Sequence, residues 1–367
     1  MNKLVSTIAL VLMTSSVACG QSNTMQQRGT TISPTDSHIQ YIGRISFKNP
    51  EAPMWTYPGV QIRTGFTGSS IKMIAKPNSG YFMAQIDDCE AFKVCYNSQR
   101  DSVITLAAAL PKGEHQLKLM YISEGYERRP EFHGFIVEKG CSLTSAPALP
   151  ERRIEFIGNS ITCGYGVEAV SEKEHYFEET GNHYYTYATR TAQALEAQHV
   201  TVARSGIGVY RNYNGPREGD KINMNTEYKN TLLYDNKEKW DFSRYTPQVV
   251  CINLGTNDTS TTGADERLLL KGYKDLYSQV RSSYPSAKIV FLCGSMMNGD
   301  ALILAKKCMD TAMADAHKAG DKEVYRFDFE PHNGSLKYGA DYHPSYWQHE
   351  KMAGELTAYL RTLMQWY

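Results

Sequence analysis

The chain has 367 residues, 41% of them hydrophobic and 21% charged, the proportions of a folded globular protein and not of a disordered or collagenous one. Thirty-nine Lys and Arg balance 39 Asp and Glu; no basic field exists to hold a phosphate backbone, which argues against nucleic acid and suits an uncharged substrate. At roughly 150 residues per domain the length allows one large domain or two.

The chain opens with Lys3, the apolar run Leu4–Met13 and the small residues Thr14–Ala18 before Cys19. This is the pattern of a secretory signal over residues 1–19, too short to span a bilayer. Ser16-Val17-Ala18-Cys19 resembles a relaxed bacterial lipobox, with Ser16 where Leu is usual. That resemblance implies lipidation of Cys19 and a periplasmic, outer-membrane or cell-surface lipoprotein, anchored by lipid to a bacterial membrane. Plain cleavage after Ala18, giving a secreted protein, is the alternative. The polar, Ser/Thr-rich residues 20–37 read as a tether.

Residues 38–140 read as an all-β sandwich. Strand-like runs at Ile42–Phe47, Val60–Phe66, Ser70–Ala75, Tyr81–Ile86, Phe92–Tyr96, Val103–Ala107, His115–Ile122 and Phe132–Val137 are separated by turn residues such as Gly68, Asn78 and Gly113. Eight cysteines are too dispersed for a disulfide framework; Cys89 and Cys95, six apart across a predicted hairpin, are the best candidates for one bridge. No CxxC spacing suggests a metal site. Residues 141–150, with Pro147 and Pro150, read as a linker.

From residue 151 to 367 strands alternate with helices. The strands are Arg153–Ile157, His199–Ala203, Pro247–Leu254, Ala287–Cys293 and Glu323–Phe327; the helices are Asn182–Ala197, Ala264–Tyr284, Asp300–Ala319 and Tyr346–Met364. This pattern predicts an α/β domain with a mostly parallel sheet, whose ligands bind beyond the carboxyl ends of the strands.

Four signals fall at those positions. Gly158-Asn159-Ser160-Ile161-Thr162 follows the first strand and presents Ser160 at a sharp strand-to-helix turn, although Gly-Asn-Ser is also an ordinary turn with Ser160 as a helix cap. It is neither a P-loop nor a GxSxG elbow. Gly206, after the second strand, lets a backbone N–H approach a ligand, or simply makes a tight turn. Asn257, after the third, offers a neutral amide donor to an oxyanion, or caps a helix. Asp341 and His343 lie two apart before the last helix, where a carboxylate could hold an imidazole that accepts a serine proton. Together these supply nucleophile, donors and base, and they predict a serine hydrolase. His349 reads as a structural contact and His332 as a loop residue. Tyr210 and Trp347 are candidate substrate-binding aromatics, and packing on the core is the alternative for Trp347.

The arrangement resembles the SGNH or GDSL hydrolases, whose four blocks match Ser160, Gly206, Asn257 and His343. More narrowly, Ile154–Gly166, the Asp-x-His-Pro-Ser ending and the β-rich first domain resemble carbohydrate esterase family 2. That resemblance implies an N-terminal jelly roll joined to an SGNH domain, and cofactor-free removal of acetyl groups from plant polysaccharides such as xylan and glucomannan, with an acetylated glycan as substrate. It also implies an oxyanion hole from Ser160, Gly206 and Asn257. Two departures stand out. Asn159 replaces the Asp of the common Gly-Asp-Ser block, and Asp341 lies two residues before His343 where three is usual; some family members rely on a Ser-His dyad. A lipase or lysophospholipase acting on longer acyl esters, and a non-catalytic carbohydrate-binding protein, are the competing readings.

Overall fold

The computed structural model describes residues 29–261 and 263–367. The expected signal segment, Cys19 and the start of the tether lie outside the described residues.

The first half contains β1 (Thr30–Ile32), β2 (Gln40–Ile42), β3 (Ile45–Ser46), β4 (Met54–Trp55), β5 (Gln61–Gly68), β6 (Ile71–Ala75), β7 (Gly80–Ile86), β8 (Phe92–Tyr96), β9 (Val103–Ala107), β10 (Gly113–Tyr121), β11 (Phe132–Val137) and β12 (Leu143–Thr144). A sheet ordered β1-β11-β6-β9 faces a second ordered β12-β5-β10-β7-β8, with β2 also on β5. Every pairing is antiparallel. Strands such as β6 alternate buried and half-buried residues, the period-2 pattern of a sheet with one face in a core. Ile62, Phe66, Phe82 and Leu117 from one sheet meet Met73 and Phe135 from the other.

Three expectations need correction here. Residues 30–32, assigned to the tether, form an edge strand in which Thr30, Thr31 and Ile32 pair with Val137, Ile136 and Phe135. Threonine is polar in composition but β-branched, so a Ser/Thr-rich stretch can still pair. Residues 143–144, assigned to the linker, pair with Phe66 and Gly65, so the sandwich extends beyond 38–140 at both ends. Cys89 and Cys95 are not joined by a disulfide: Cys95 stands opposite Tyr81 at the far end of the hairpin from Cys89, which lies in the connecting turn. At ~3.4 Å per residue that separation is beyond disulfide reach.

The second half contains β13 (Arg152–Gly158), α1 (Ser160–Cys163), α2 (Tyr187–Ala194), β14 (Ala197–Ala203), α3 (Met224–Glu227), β15 (Asn230–Leu232), β16 (Asp235–Lys239), β17 (Val249–Asn253), α4 (Glu266–Ser283), β18 (Lys288–Cys293), α5 (Gly299–Lys318), β19 (Val324–Asp328) and α6 (Tyr346–Met364). Five strands form a wholly parallel sheet in the order β14-β13-β17-β18-β19. Its central strands are buried on both faces. Phe156, Cys251 and Val290 pack under Tyr187 of α2 and Met352 and Leu356 of α6; Ile157, Ile252 and Phe291 pack under Tyr273 of α4 and Met309 of α5. The helix predicted over 182–197 is shorter because Asn182 caps a separate turn at 183–185 and the Thr186 side chain accepts the Thr189 N–H, restarting the chain as α2. Glu196, at φ 49°, then leads into β14. The β15–β16 hairpin carries no alternating apolar pattern and was not anticipated.

The domains share a seam. Arg44 of the sandwich is fully buried and donates to the Tyr228 and Asn230 carbonyls and to the Glu155 carboxylate at 3.4 Å. Its guanidinium lies over the rings of Tyr228, Phe242 and Trp240. Among the described residues no helix is long and apolar enough to cross a membrane.

Candidate active site

Ser160 opens α1 directly beyond β13. Asn159 caps that helix, its side chain accepting the Ile161 N–H at 3.1 Å. Gly158 is required by space, since a Cβ there would stand 2.0 Å from Thr162 Oγ1. The Ser160 N–H has no partner among the described residues.

His343 reaches Ser160 from the loop before α6, with Nε2 2.9 Å from Oγ. Its Nδ1 faces two main-chain oxygens, Ala340 O at 3.1 Å and Asp341 O at 3.3 Å. Carbonyls only accept, so Nδ1 carries the proton and Nε2 is left to accept from the serine hydroxyl. Burial lowers the His343 pKa to about 4, opposed by those carbonyls and by the Asp341 charge. Neutral imidazole is the form a general base needs.

The assignment of the Asp341 carboxylate to His343 is corrected. Asp341 and Tyr342 both adopt left-handed backbone, φ 48° and 61°, a conformation costly for non-glycine residues. The twist turns the Asp341 carbonyl toward the imidazole and its side chain away. The carboxylate instead accepts from Tyr165 Oη at 2.8 Å and the Tyr176 N–H at 3.3 Å, and lies 3.0 Å from His175 Nδ1. Tyr165 in turn stacks on the His343 ring, centroids 4.1 Å apart. The acid therefore acts on the imidazole through a tyrosine, its own main chain and its field. Tyr165 lies inside the block that carries the family resemblance, but nothing in its spacing reveals the stack.

Gly206 has φ 81°, and its N–H is unpartnered among the described residues. Asn257 donates one amide hydrogen to Ile207 O at 2.8 Å, leaving the second free. The two loops are fastened by buried Asp258, whose carboxylate accepts the N–H groups of Val209, Tyr210 and Arg211 at 2.9–3.0 Å. A second carboxylate comes from the sandwich: Glu124 accepts the Ser205 N–H at 2.7 Å and its hydroxyl. Burial raises the Glu124 pKa against the pull of Ser205 and Arg204. Neither role was legible: Glu124 lies 81 residues from Ser205 in the loop after β10 with no motif, and nothing in the spacing of Asp258 shows which N–H groups it meets.

Ser160, Gly206, Asn257, Asp341 and His343 line one cleft of about 760 Å³, with Tyr213 and Met297. Tyr210 does not: it is 7% exposed and packs in the core, its hydroxyl accepting the Asp265 N–H. Trp347 does not line the cleft either; it is 54% exposed and meets Tyr346 edge-on, because Tyr346 takes the inward place over Arg190. Tyr213, 57% exposed in the cleft wall, is the aromatic that sequence reasoning missed. His349 is buried and accepts the Tyr187 N–H, a structural contact as expected. No group of three or more His, Cys, Asp or Glu that could hold a metal occurs among the described residues.

Comparison with known proteins places both halves of the chain in known families. Residues 41–147 match the family described as carbohydrate esterase 2 N-terminal, and residues 156–351 match the GDSL-like lipase/acylhydrolase family. A solved structure of a family two carbohydrate esterase from Clostridium thermocellum, in complex with cellohexaose, is 37% identical with a TM-score of 0.82, covering 90% of this chain and 100% of its own. This chain belongs to carbohydrate esterase family 2. It is a carboxylic ester hydrolase. Among curated relatives, the cellulase/esterase CelE of Acetivibrio thermocellus is 37% identical over 89% of this chain, which spans only 40% of that protein's length. An acetylxylan esterase / glucomannan deacetylase of Cellvibrio japonicus is 29% identical over 95% of both chains.

Proposed function

We propose that this family 2 esterase removes O-acetyl groups from plant polysaccharides or oligosaccharides of the xylan and glucomannan type through an acetyl-enzyme. The observation that carries the reading is the 2.9 Å contact of His343 with Ser160 beside unpartnered N–H groups in an open cleft; relatives named for acetylxylan and glucomannan support the substrate class.

His343 takes the Ser160 proton as Oγ attacks the acetyl carbonyl. The oxyanion is held by the N–H groups of Ser160 and Gly206 and the free amide hydrogen of Asn257, donors already oriented before charge develops. As the bond to the sugar breaks, His343 gives that proton to the departing sugar oxygen, which leaves as a hydroxyl, and water repeats the sequence on the acetyl-enzyme. The exposed face of Tyr213 suits stacking against a sugar ring. We further infer export, with lipid attached at Cys19, from the leader and Ser16-Val17-Ala18-Cys19; the mass of the mature N-terminus tests it.

The test is acetate release from acetylated xylan, glucomannan and simple sugar acetates, set against longer acyl esters. Acetyl groups on glycans should be preferred, and preference for long acyl chains would transfer the protein to the lipase reading. Ser160→Ala should lower kcat by about 10⁴-fold or more with an unchanged melting temperature. Asn257→Ala should lower it by roughly 10²- to 10³-fold, and full kcat in a folded variant would remove that residue from the oxyanion site.

A further inference from the structure

A second cavity, of about 230 Å³, lies where the outer face of the six-stranded sheet meets α2 and β14, and it shares no lining residue with the catalytic cleft. Arg63 of β5 and Lys118 of β10 both line it and stand directly opposite each other in the antiparallel register. Like charges in that position repel. Arg63 is only 8% exposed, its Nε is sealed without an acceptor, and neither cation has a hydrogen bond or ion pair among the described residues. Among the described residues no carboxylate lies within ion-pair range of either cation: Gln40, the other cross-strand neighbour of Arg63, has a sealed and unpartnered Oε1, but an amide adds an acceptor without a charge. Burial alone lowers the Arg63 pKa, with no opposing carboxylate. Buried charges in stable proteins are paired, so Arg63 lacks its counterpart and half-buried Lys118 adds a second positive charge beside it.

We propose that the cavity binds a small monovalent carboxylate between the Arg63 guanidinium and the Lys118 ammonium. The guanidinium fork matches a carboxylate in shape as well as sign. Glu196, exposed at the rim and outside ion-pair range of both cations, leaves a net charge of +1, which one carboxylate neutralises and a phosphate dianion exceeds. Gln61 and Gln85 offer further polar contacts, while Met83 and Met120 give an apolar wall for the body of an organic acid. The volume falls below the roughly 300 Å³ at which pockets for drug-sized ligands begin, so the occupant lies between acetate and a single sugar acid in size.

The two sources of such a group are a free small acid and a uronic acid of a glycan, and one experiment separates them. The full chain is titrated calorimetrically, and its melting followed, with sodium acetate, sodium glucuronate and inorganic phosphate at constant ionic strength set by chloride. Saturable binding of acetate assigns the site to free acids; binding of glucuronate alone assigns it to acidic sugars. Either should weaken about tenfold or more in Arg63→Met, which separates this cavity from acetate held near Ser160. Arg63→Met should also melt higher than the parent in chloride alone, because a buried unpaired charge has been removed. Lys118→Met provides the same reading if Arg63→Met does not fold, and hydrolysis of an aryl acetate checks that each variant is native. The proposal is overturned if neither carboxylate binds beyond chloride, if both variants bind as the parent does, or if phosphate binds more tightly than the carboxylates.

Discussion

Arg44 and Glu124 both leave the β-sandwich to meet the catalytic domain, and they do different work. Arg44 is sealed from water and ends on buried Glu155, away from the cleft; Glu124 ends on Ser205, one residue before Gly206, which we propose as an oxyanion donor. The first joins two domains, whereas the second lets one domain shape the other's chemistry. Both crossings set a charge against polar partners, and we expect the first to carry stability and the second catalysis.

The largest effect should come from the first crossing. Arg44→Met leaves Glu155 buried and uncompensated, and should cost about 3–5 kcal/mol of stability while leaving kcat per folded molecule unchanged. Adding Glu155→Gln should return part of that loss, and an unaltered denaturation midpoint in the single variant would erase the distinction. At the second crossing, Glu124→Ala should reduce kcat about tenfold, the equivalent of 1.4 kcal/mol in the barrier, with KM and melting temperature close to the parent. Glu124→Gln, which keeps one acceptor, should fall between. A fall in stability without a fall in kcat would make Glu124 a second Arg44.

Protons should divide the two domains more gently. His183 and His199 of the catalytic domain are pushed by burial to about 4 and 3, and His349 to about 3. Their folded values lie below the unfolded value near 6.5, so the unfolded chain binds more protons; the stability they support is complete above about pH 6.5 and is lost as pH falls below it. In the sandwich, His115 is raised by the Asp87 carboxylate, so its contribution is present below pH 6.5 and is lost only as pH rises through its folded value. Lowering the pH from 6.5 should destabilise the catalytic domain first, visible as separate calorimetric transitions. Because the base works unprotonated and His343 lies near 4, kcat/KM measured on folded protein should hold level through pH 6 and decline only toward 4. An acid limb at 6.5 would contradict that burial effect.

Local signals were legible because they follow from short-range rules. The parallel sheet, α4, α5 and α6 follow from apolar runs and helical periods; Ser160, Gly206 and Asn257 follow from their place after strands, and His343 from its place just before the last helix. The edge strand at 30–32 was hidden because Thr30 and Thr31 count as polar in composition yet pair well in a sheet. Asp341 misled for a different reason: spacing of two puts side chains on one face only in extended backbone, and this turn is left-handed at two successive residues. Glu124, Asp258 and the Tyr165 stack depend on which loops meet in space, which no local pattern encodes.

The orientation of His343 by carbonyl oxygens has a genetic consequence. Every amino acid carries a main-chain carbonyl, so exchanging a side chain at position 340 or 341 moves those acceptors only by changing the backbone. A scan of substitutions there would find graded effects, largest for Asp341→Pro, which cannot hold the φ of 48°. An insertion between Ala340 and His343 would likewise carry those oxygens away from the ring.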